Sequence, residues 1–366
     1  MQRINLPAIK PDRVVPVLLG VIATFVIGVI LLQLRSVLVP LSVAILLSFI
    51  FQPIVLYLKA RRVPTWLALV VVSAALALLL GLIGFLVYSS AQSLTQAFDR
   101  YVPRIDTLID DLQTLVARFV QALGLNMTQL DFNQIIDVAS ITSVVSSGVG
   151  EVATLLANAF LVVLFMMFIL AASGELSIKV QKAYPTSVAA RIIDVMDNIS
   201  RQVRQYLVAK TVVSAGTGLL IFLVLWLLGV DFPVFWGFMA FLLNFIPNIG
   251  STVAVVMPSL LSLLQFDTLT IPFIAAGLMW LIQMVMGNIV DPRLMAFSLN
   301  LSPVLVLVSL IFWGWLWGIV GMILAVPLTA TIKIFFENID GLRPVAVLMG
   351  DVSSANVISP PGGEEG

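Results

Sequence analysis

Long uncharged apolar runs separated by short polar stretches set the pattern of this chain. Residues 14–34, 37–57, 65–88, 152–172 and 208–229 each hold few or no charges and reach the roughly 20 residues a helix needs to cross ~30 Å of hydrocarbon. They predict five spanning helices. Between the third and fourth runs, Leu94, Phe98, Tyr101, Ile105, Leu108, Leu112, Leu115 and Phe119 recur in alternating steps of four and three, the stripe of an amphipathic helix with heptad spacing. Pro103 predicts a bend in it. The stripe packs either on a following helix of its own chain, starting at Asp131 with Gln134 as capping partner, or on other protomers. Between the fourth and fifth runs, Ser187 is placed to cap a helix with Val188, Ile192, Val195, Ile199 and Val203 on one face and Arg191, Arg201 and Arg204 elsewhere. That pattern predicts a helix lying along the membrane surface before the fifth span.

The C-terminal half has a different rhythm. Apolar runs 232–246 and 249–265 are short, are interrupted by Pro247-Asn248-Ile249-Gly250, and sit in a stretch from Asp231 to Asp291 without Lys or Arg. Short apolar pairs broken by Pro and Gly predict a re-entrant or broken helical hairpin. The stretch Ser302–Glu337 repeats the layout: Pro303-Val304 opens it as Pro233-Val234 opens the first, and Ala325-Val326-Pro327 closes it much as Val255-Val256-Met257-Pro258 does. Its break falls at Gly314 to Gly318. A single long helix, about 270–290, lies between the two units, so one crossing would set the hairpins on opposite sides of the membrane, as in inverted-repeat carriers. If 314–325 is helical, Gly314, Gly318, Gly321 and Ala325 share one face and permit close helix packing.

The expected fold is therefore all-α, a polytopic transmembrane protein of about eight membrane segments, two of them re-entrant or broken hairpins. Its parts are 1–90 with three spans, an external amphipathic segment at 91–150, the fourth span plus a surface helix at 151–207, a core with two hairpins at 208–340, and a disordered tail at 341–366, small and polar from Asp351 onward.

Composition agrees: 60% of the 366 residues are hydrophobic, 10% are charged, and the mean hydropathy is +1.12, against ~25% charged in ordinary soluble domains. Membrane lipid is the expected solvent for most of the surface. Net charge is zero and gives no argument for nucleic acid. Cysteine and histidine are absent, which excludes disulfides, thiolate metal sites, His-activated nucleophiles and HExxH zinc sites. No cofactor, metal or enzymatic reaction is expected. Lys59, Arg61 and Arg62, and then Lys179, Lys182, Arg191, Arg201, Arg204 and Lys210, mark cytoplasmic turns, whereas the acidic 91–150 segment belongs outside. Both termini are then cytoplasmic. The polar start with Arg3, Lys10 and Arg13 has no small-residue cleavage site, so the first span is read as retained.

Polar groups at membrane depth usually face protein or a water-filled cavity. Asn244, Asn248, Ser251 and Thr252 gather at the first break beside Pro247 and Gly250, and Gln283, Asn288, Asp291 and Arg293 gather at the end of the long helix. They are candidates for one polar site suited to a neutral, oxygen-rich solute, with Asp291 able to take a proton or cation. The alternative is structural: Asp291 and Arg293 neutralise each other at the surface, and the Asn residues satisfy broken helix ends.

Phe245-Ile246-Pro247-Asn248-Ile249-Gly250-Ser251, Gly287-Asn288-Ile289-Val290-Asp291-Pro292-Arg293-Leu294-Met295, Ser298-Leu299-Asn300-Leu301-Ser302-Pro303 and Gly321-Met322-Ile323-Leu324-Ala325-Val326-Pro327-Leu328 together resemble the motifs of the autoinducer-2 exporter family, also called PerM-like permeases. The resemblance covers most of the chain in layout, with its specific motifs between about 230 and 337. It implies a bacterial inner-membrane transporter that assembles as a homo-oligomer, a closed ring of five, with its transport site in the C-terminal half. The chain departs from the usual pattern at Gly287, where many members carry Glu, at Asn248, where Tyr is common, and at Ala296, where Gly is common. Loss of the Glu puts proton coupling at that position in doubt. The leading reading is a carrier exporting a small polar solute such as the autoinducer-2 signal by alternating access. A sodium/proton antiporter using Asp291 and a non-transporting membrane scaffold are the alternatives.

Overall fold

The computed structural model describes residues 11–122, 150, 158–294, 300–339 and 341–350. Among them no strand occurs. The long helices are α1 (Pro11–Gln33), α2 (Arg35–Ala60), α3 (Thr65–Ala122), α4 (Ala159–Ala183) and α5 (Thr186–Leu227). They are followed by α6 (Pro233–Leu243), α7 (Ile249–Gln265), α8 (Thr270–Val285), a π-helical turn at Met286–Val290, the short α9 (Asp291–Leu294), α10 (Pro303–Glu337) and α11 (Arg343–Met349). Among the described residues, six helical stretches are long and apolar enough to cross a membrane: Arg35–Ala60, Thr65–Ser90, Ala159–Ala183, Thr186–Leu227, Thr270–Leu294 and Pro303–Glu337. Helices α6 and α7 are apolar but shorter.

Two of the sequence expectations are corrected in the first half. The stretch from Ser187 to Val203 is not a separate surface helix, and Ser187 is not its cap. It is the beginning of α5, whose N-cap is Pro185 and which continues unbroken through 42 residues. No Gly or Pro interrupts 186–215, and Val203 and Leu207 are buried against Leu46 of α2 and Leu310, Trp313 and Leu324 of α10, so packing keeps the helix straight into the bundle. The fourth helix, described over Ala159–Ala183, runs on past the expected end at residue 172, and its polar end carries a Glu175–Lys179 pair at 2.9 Å, four residues apart. The proposed helix start at Asp131 and Gln134 lies outside the described residues, as does the chain beyond Gly350. Within the expected disordered tail, however, Arg343–Met349 is helical, and Ala346 is buried.

Helices α2, α3 and α4 share one apolar core, with Ala44, Val55, Ala68, Val72, Leu76, Val162 and Met166 buried in it. Helix α3 is 58 residues long, about 87 Å at 1.5 Å per residue, and therefore projects far beyond its apolar part. Tyr101 on this projection packs with Val87, Phe235 and Leu261, so part of the heptad stripe faces helices of its own chain. The Tyr101 hydroxyl donates to Asp231 Oδ2 at 2.6 Å, and Arg104 donates to the Asp267 carbonyl at 3.3 Å. These two contacts clamp the projecting arm across the outer ends of α6 and α7.

Helices α6 and α7 form the first hairpin. Their outer ends are tied side by side: the Asp231 N–H donates to Gln265 Oε1 at 2.8 Å, and Gln265 Nε2 donates to the Gly229 carbonyl at 2.8 Å. A Cβ on Gly250 would fall on the Leu243 carbonyl, so glycine is what lets the arms converge. Helix α6 has 11 residues, about 16 Å of rise. The second hairpin lies inside α10. At Trp317 and Gly318 the backbone leaves the helix, with Gly318 at φ 66°, ψ −146°, a region open essentially to glycine alone. Trp313 Nε1 then donates to Thr329 Oγ1 at 3.2 Å, 16 residues onward, a separation of about 24 Å in a straight helix. The chain has folded back on itself. Gly314, Gly318, Gly321 and Ala325 thus do not share one face of a continuous helix. Gly318 makes the turn, Gly314 lies against Met322, and a Cβ on Gly321 would fall on the Trp313 carbonyl. The small residues serve the inside of this hairpin.

Gly321→Ala is expected to lower the thermal unfolding midpoint in detergent at a cost of about 1–3 kcal/mol, while Gly81→Ala, where a Cβ meets open space, leaves it unchanged; equal melting of both variants would contradict the close approach of the arms. Burial, and then the hydrogen bond to Asp231, raise the Tyr101 phenol above its ordinary value. The folded state therefore favours the protonated form, and its contribution is complete below the unfolded value of about 10 and is lost as pH climbs beyond it. Melting curves from pH 8 to 11 should show this fall, and Tyr101→Phe should abolish the slope while costing about 1.5–3 kcal/mol at neutral pH.

Candidate functional site

The turn between α6 and α7 is built from residues that cannot continue either helix. Pro247 lacks the N–H a helix would use, and Asn248 follows at φ 62°, ψ −55°. The Ile249 N–H donates to the Pro247 carbonyl at 2.7 Å, which makes a γ-turn of the strained positive-φ form. The Asn248 carbonyl, left outside that turn, accepts the hydroxyls of Ser251 at 2.9 Å and Thr252 at 3.0 Å. Asn244 is anchored more deeply, its Nδ2 donating to the buried Ser214 Oγ on α5 at 3.0 Å.

This turn forms one wall of a cavity of about 670 Å³. Asn244, Pro247, Asn248, Ser251 and Thr252 line it from the hairpin, and Trp280, Gln283, Asn288 and Asp291 line it from the α8–α9 stretch. Tyr206 and Lys210 of α5 and Val306 and Val326 of the second hairpin complete it. Of the candidates read from the sequence, Gly250 is buried behind the wall, where it meets Leu243, and Arg293 is exposed on α9 away from the lining.

The charge in this cavity is arranged differently from the Asp291–Arg293 neutralisation considered above. Lys210 Nζ donates to Asp291 Oδ2 at 2.9 Å, with side chains 8% and 20% exposed. Arg293 is not the partner of Asp291. Helix phase is the reason: residues 286–290 form a π-helical turn, and the wider turn carries Asp291 toward α5. Asp291 Oδ1 and Gln283 Nε2 are both buried without a hydrogen-bond partner among the described residues. A carboxylate oxygen that can only accept and an amide nitrogen that can only donate are therefore left unpaired on two lining residues of the same helical stretch. No group of three acidic side chains able to hold a metal ion occurs among the described residues.

Lys210 and Tyr206 were not singled out in the sequence, where Lys210 counted only toward the positive character of a cytoplasmic turn. The signal was present. Tyr206, Lys210, Ser214 and Thr217 repeat at helical spacing, and the last three are buried at 6%, 0% and 0% exposure, so they form a polar stripe on the face of α5 turned toward the protein interior.

The family model described as AI-2E family transporter matches residues 18–341, which include every element of the cavity wall. This chain belongs to the AI-2E transporter family. Among its relatives, the AI-2 transport protein TqsA of Escherichia coli (strain K12) is 34% identical over 285 residues, covering 77% of this chain and 79% of that protein. A protein of Haemophilus influenzae provisionally named a transport protein is 34% identical over 291 residues, 78% of this chain and 82% of its own. A similarly named protein of Borreliella burgdorferi is 39% identical over 193 residues; that match spans 52% of this chain and 53%, about half, of the relative. Family membership and the six long apolar helices make this a multi-pass membrane protein of a transporter family.

Asn248 holds the strained turn position at φ 62°. Asn248→Gly is expected to raise stability by about 1 kcal/mol by relieving the positive φ, and Asn248→Val to lower it by about 1–3 kcal/mol, both read from unfolding midpoints in detergent. A Gly variant no more stable than the Val variant would show that the turn carries no strain.

Proposed function

We propose that this protein is an alternating-access carrier that exports a small polar solute across a bacterial inner membrane. The observation that carries this reading is the cavity, whose lining brings together a strained hairpin turn, the Lys210–Asp291 ion pair and two residues of the second hairpin. Helix α6 is about half as long as the hydrocarbon is thick, and both of its hairpin's ends meet the arm of α3. The reading is that both hairpins are re-entrant, the first from outside and the second from the cytoplasm. Polar turns at mid-depth are tolerated where protein or a water-filled cavity surrounds them, and carriers use such broken segments to hold solute. A rocking of one hairpin against the other would open the cavity to each side in turn.

In this reading both termini are cytoplasmic, which the positively charged turns support. Assembly as a homo-oligomer, a ring of five, belongs to the same proposal and rests on the family resemblance. The E. coli relative's name makes the autoinducer-2 signal the first solute to try. No observation favours sodium/proton exchange, since the Asp291 carboxylate already holds Lys210.

The test is uptake of labelled autoinducer-2, beside a sodium control, into inverted vesicles with and without a proton gradient. Signal uptake is expected in the unaltered protein and a loss of about tenfold or more in Asp291→Asn, the scale of one hydrogen bond to a charged group. Uptake unaffected by Asp291→Asn would place the path elsewhere, and flux of sodium alone would replace the exporter with an antiporter.

A further inference from the structure

Lys210 and Asp291 are the charged residues in the cavity lining, and they cancel. A buried ion pair is a poor source of stability, because desolvation offsets much of the attraction and apolar replacements often do as well. What the pair does provide is a charge condition on whatever enters. We infer that Lys210 acts as the internal countercharge of Asp291 and sets the specificity of the site for uncharged, hydroxyl-bearing solutes. This rests on the carrier reading above and names its substrate class.

The argument runs through the atoms left over. Lys210 takes Asp291 Oδ2, which leaves the buried Oδ1 without a partner. A group that satisfies Oδ1 must donate a hydrogen. An ammonium or metal cation could approach the carboxylate but would meet the Lys210 charge within the same low-dielectric space, and an anion would meet Asp291. A carbonyl or ether oxygen has no hydrogen to give. A hydroxyl donates without bringing charge.

Eight residues earlier on the same helical stretch, about 12 Å along its axis, Gln283 Nε2 is the matching orphan donor, which calls for an acceptor oxygen at the solute's other end. Trp280 stands one turn before Gln283, at the end of this stretch away from Asp291, and lines the same cavity. An indole face suits the C–H surface of a polyol or a sugar-like ring. The lining thus carries, in order along one helical stretch, an apolar plate, a donor and an acceptor, and its net charge is zero.

Fluorescence quenching by two ions of opposite sign tests this on the full-length purified protein in detergent. Thallium(I) and iodide both quench tryptophan, and Trp280 reports arrival in the cavity. The unaltered protein is expected to show no saturable quenching by either. Lys210→Met should bind thallium(I), and Asp291→Asn should bind iodide, each about tenfold or more tightly than the unaltered protein. Neither response should survive in the Lys210→Met/Asp291→Asn double variant, and Trp280→Phe should erase both signals.

The inference is overturned if the unaltered protein binds either ion as tightly as the single variants, or if single variants with intact helical circular dichroism bind neither. Should a lone buried charge prevent folding, the exchanged pair Lys210→Asp/Asp291→Lys decides: neutrality is restored, so it should exclude both ions, and saturable binding of either overturns the inference. Because the readout is binding in detergent, a failure of solute flux in vesicles would remove the carrier function while leaving this selectivity standing.

Discussion

A helix that stops inside an apolar interior leaves backbone donors and acceptors with no water to turn to, and this constraint governs the arrangement of the C-terminal half. At the first hairpin the freed groups are satisfied within a few residues: the Ile246 N–H goes to Leu243, Ile249 to Pro247 and Gly250 to Ile246, while two hydroxyls close on the Asn248 carbonyl. Such compact satisfaction requires the two arms to nearly touch. Gly250 in one hairpin and Gly321 in the other stand where any Cβ would meet the opposing carbonyl. The same device is used twice, although one turn is a strained γ-turn and the other a single left-handed glycine.

Once the turns are closed, their tips need protein around them. Leu243 and Ile246 of the first hairpin pack into one core with Leu310, Trp313, Leu316 and Leu324 of the second, backed by Leu46 and Leu207. The two hairpins therefore brace each other, and the polar cavity lies beside that contact. At the far end the first hairpin is held differently, by the Tyr101–Asp231 and Arg104–Asp267 contacts from the arm of α3. One end is fixed by apolar packing and the other by hydrogen bonds and charge.

Much of this was legible in the sequence because lipid and protein ask for simple patterns. Apolar run length gave α1, α2 and α5 to within a few residues where they cross the apolar zone, and Pro247 to Gly250 marked the first turn. The second hairpin was legible as a repeat, yet its glycines read as one helical face, since periodicity cannot show that a chain doubles back at Trp317–Gly318. Continuous helices α3 and α5 were divided because a change from apolar to amphipathic composition resembles a boundary when no breaker is demanded. The site was legible in residue types: the amides and hydroxyls do line the cavity. Its ion pair was not, because Lys210 and Asp291 lie 81 residues apart, and the nearer Arg293 offered the simpler partner.

The π-helical turn at Met286–Val290 sets the phase of every side chain that follows it on this stretch. Such a bulge equals one residue inserted into an otherwise regular helix, and each residue of an α-helix turns the following side chains by about 100°. Removal of one residue here would turn the carboxylate about a third of a turn away from α5. The electrical character of the cavity is thus separable from the architecture that encloses it: one residue gained or lost in this stretch changes which charges meet in the cavity while the scaffold stays the same.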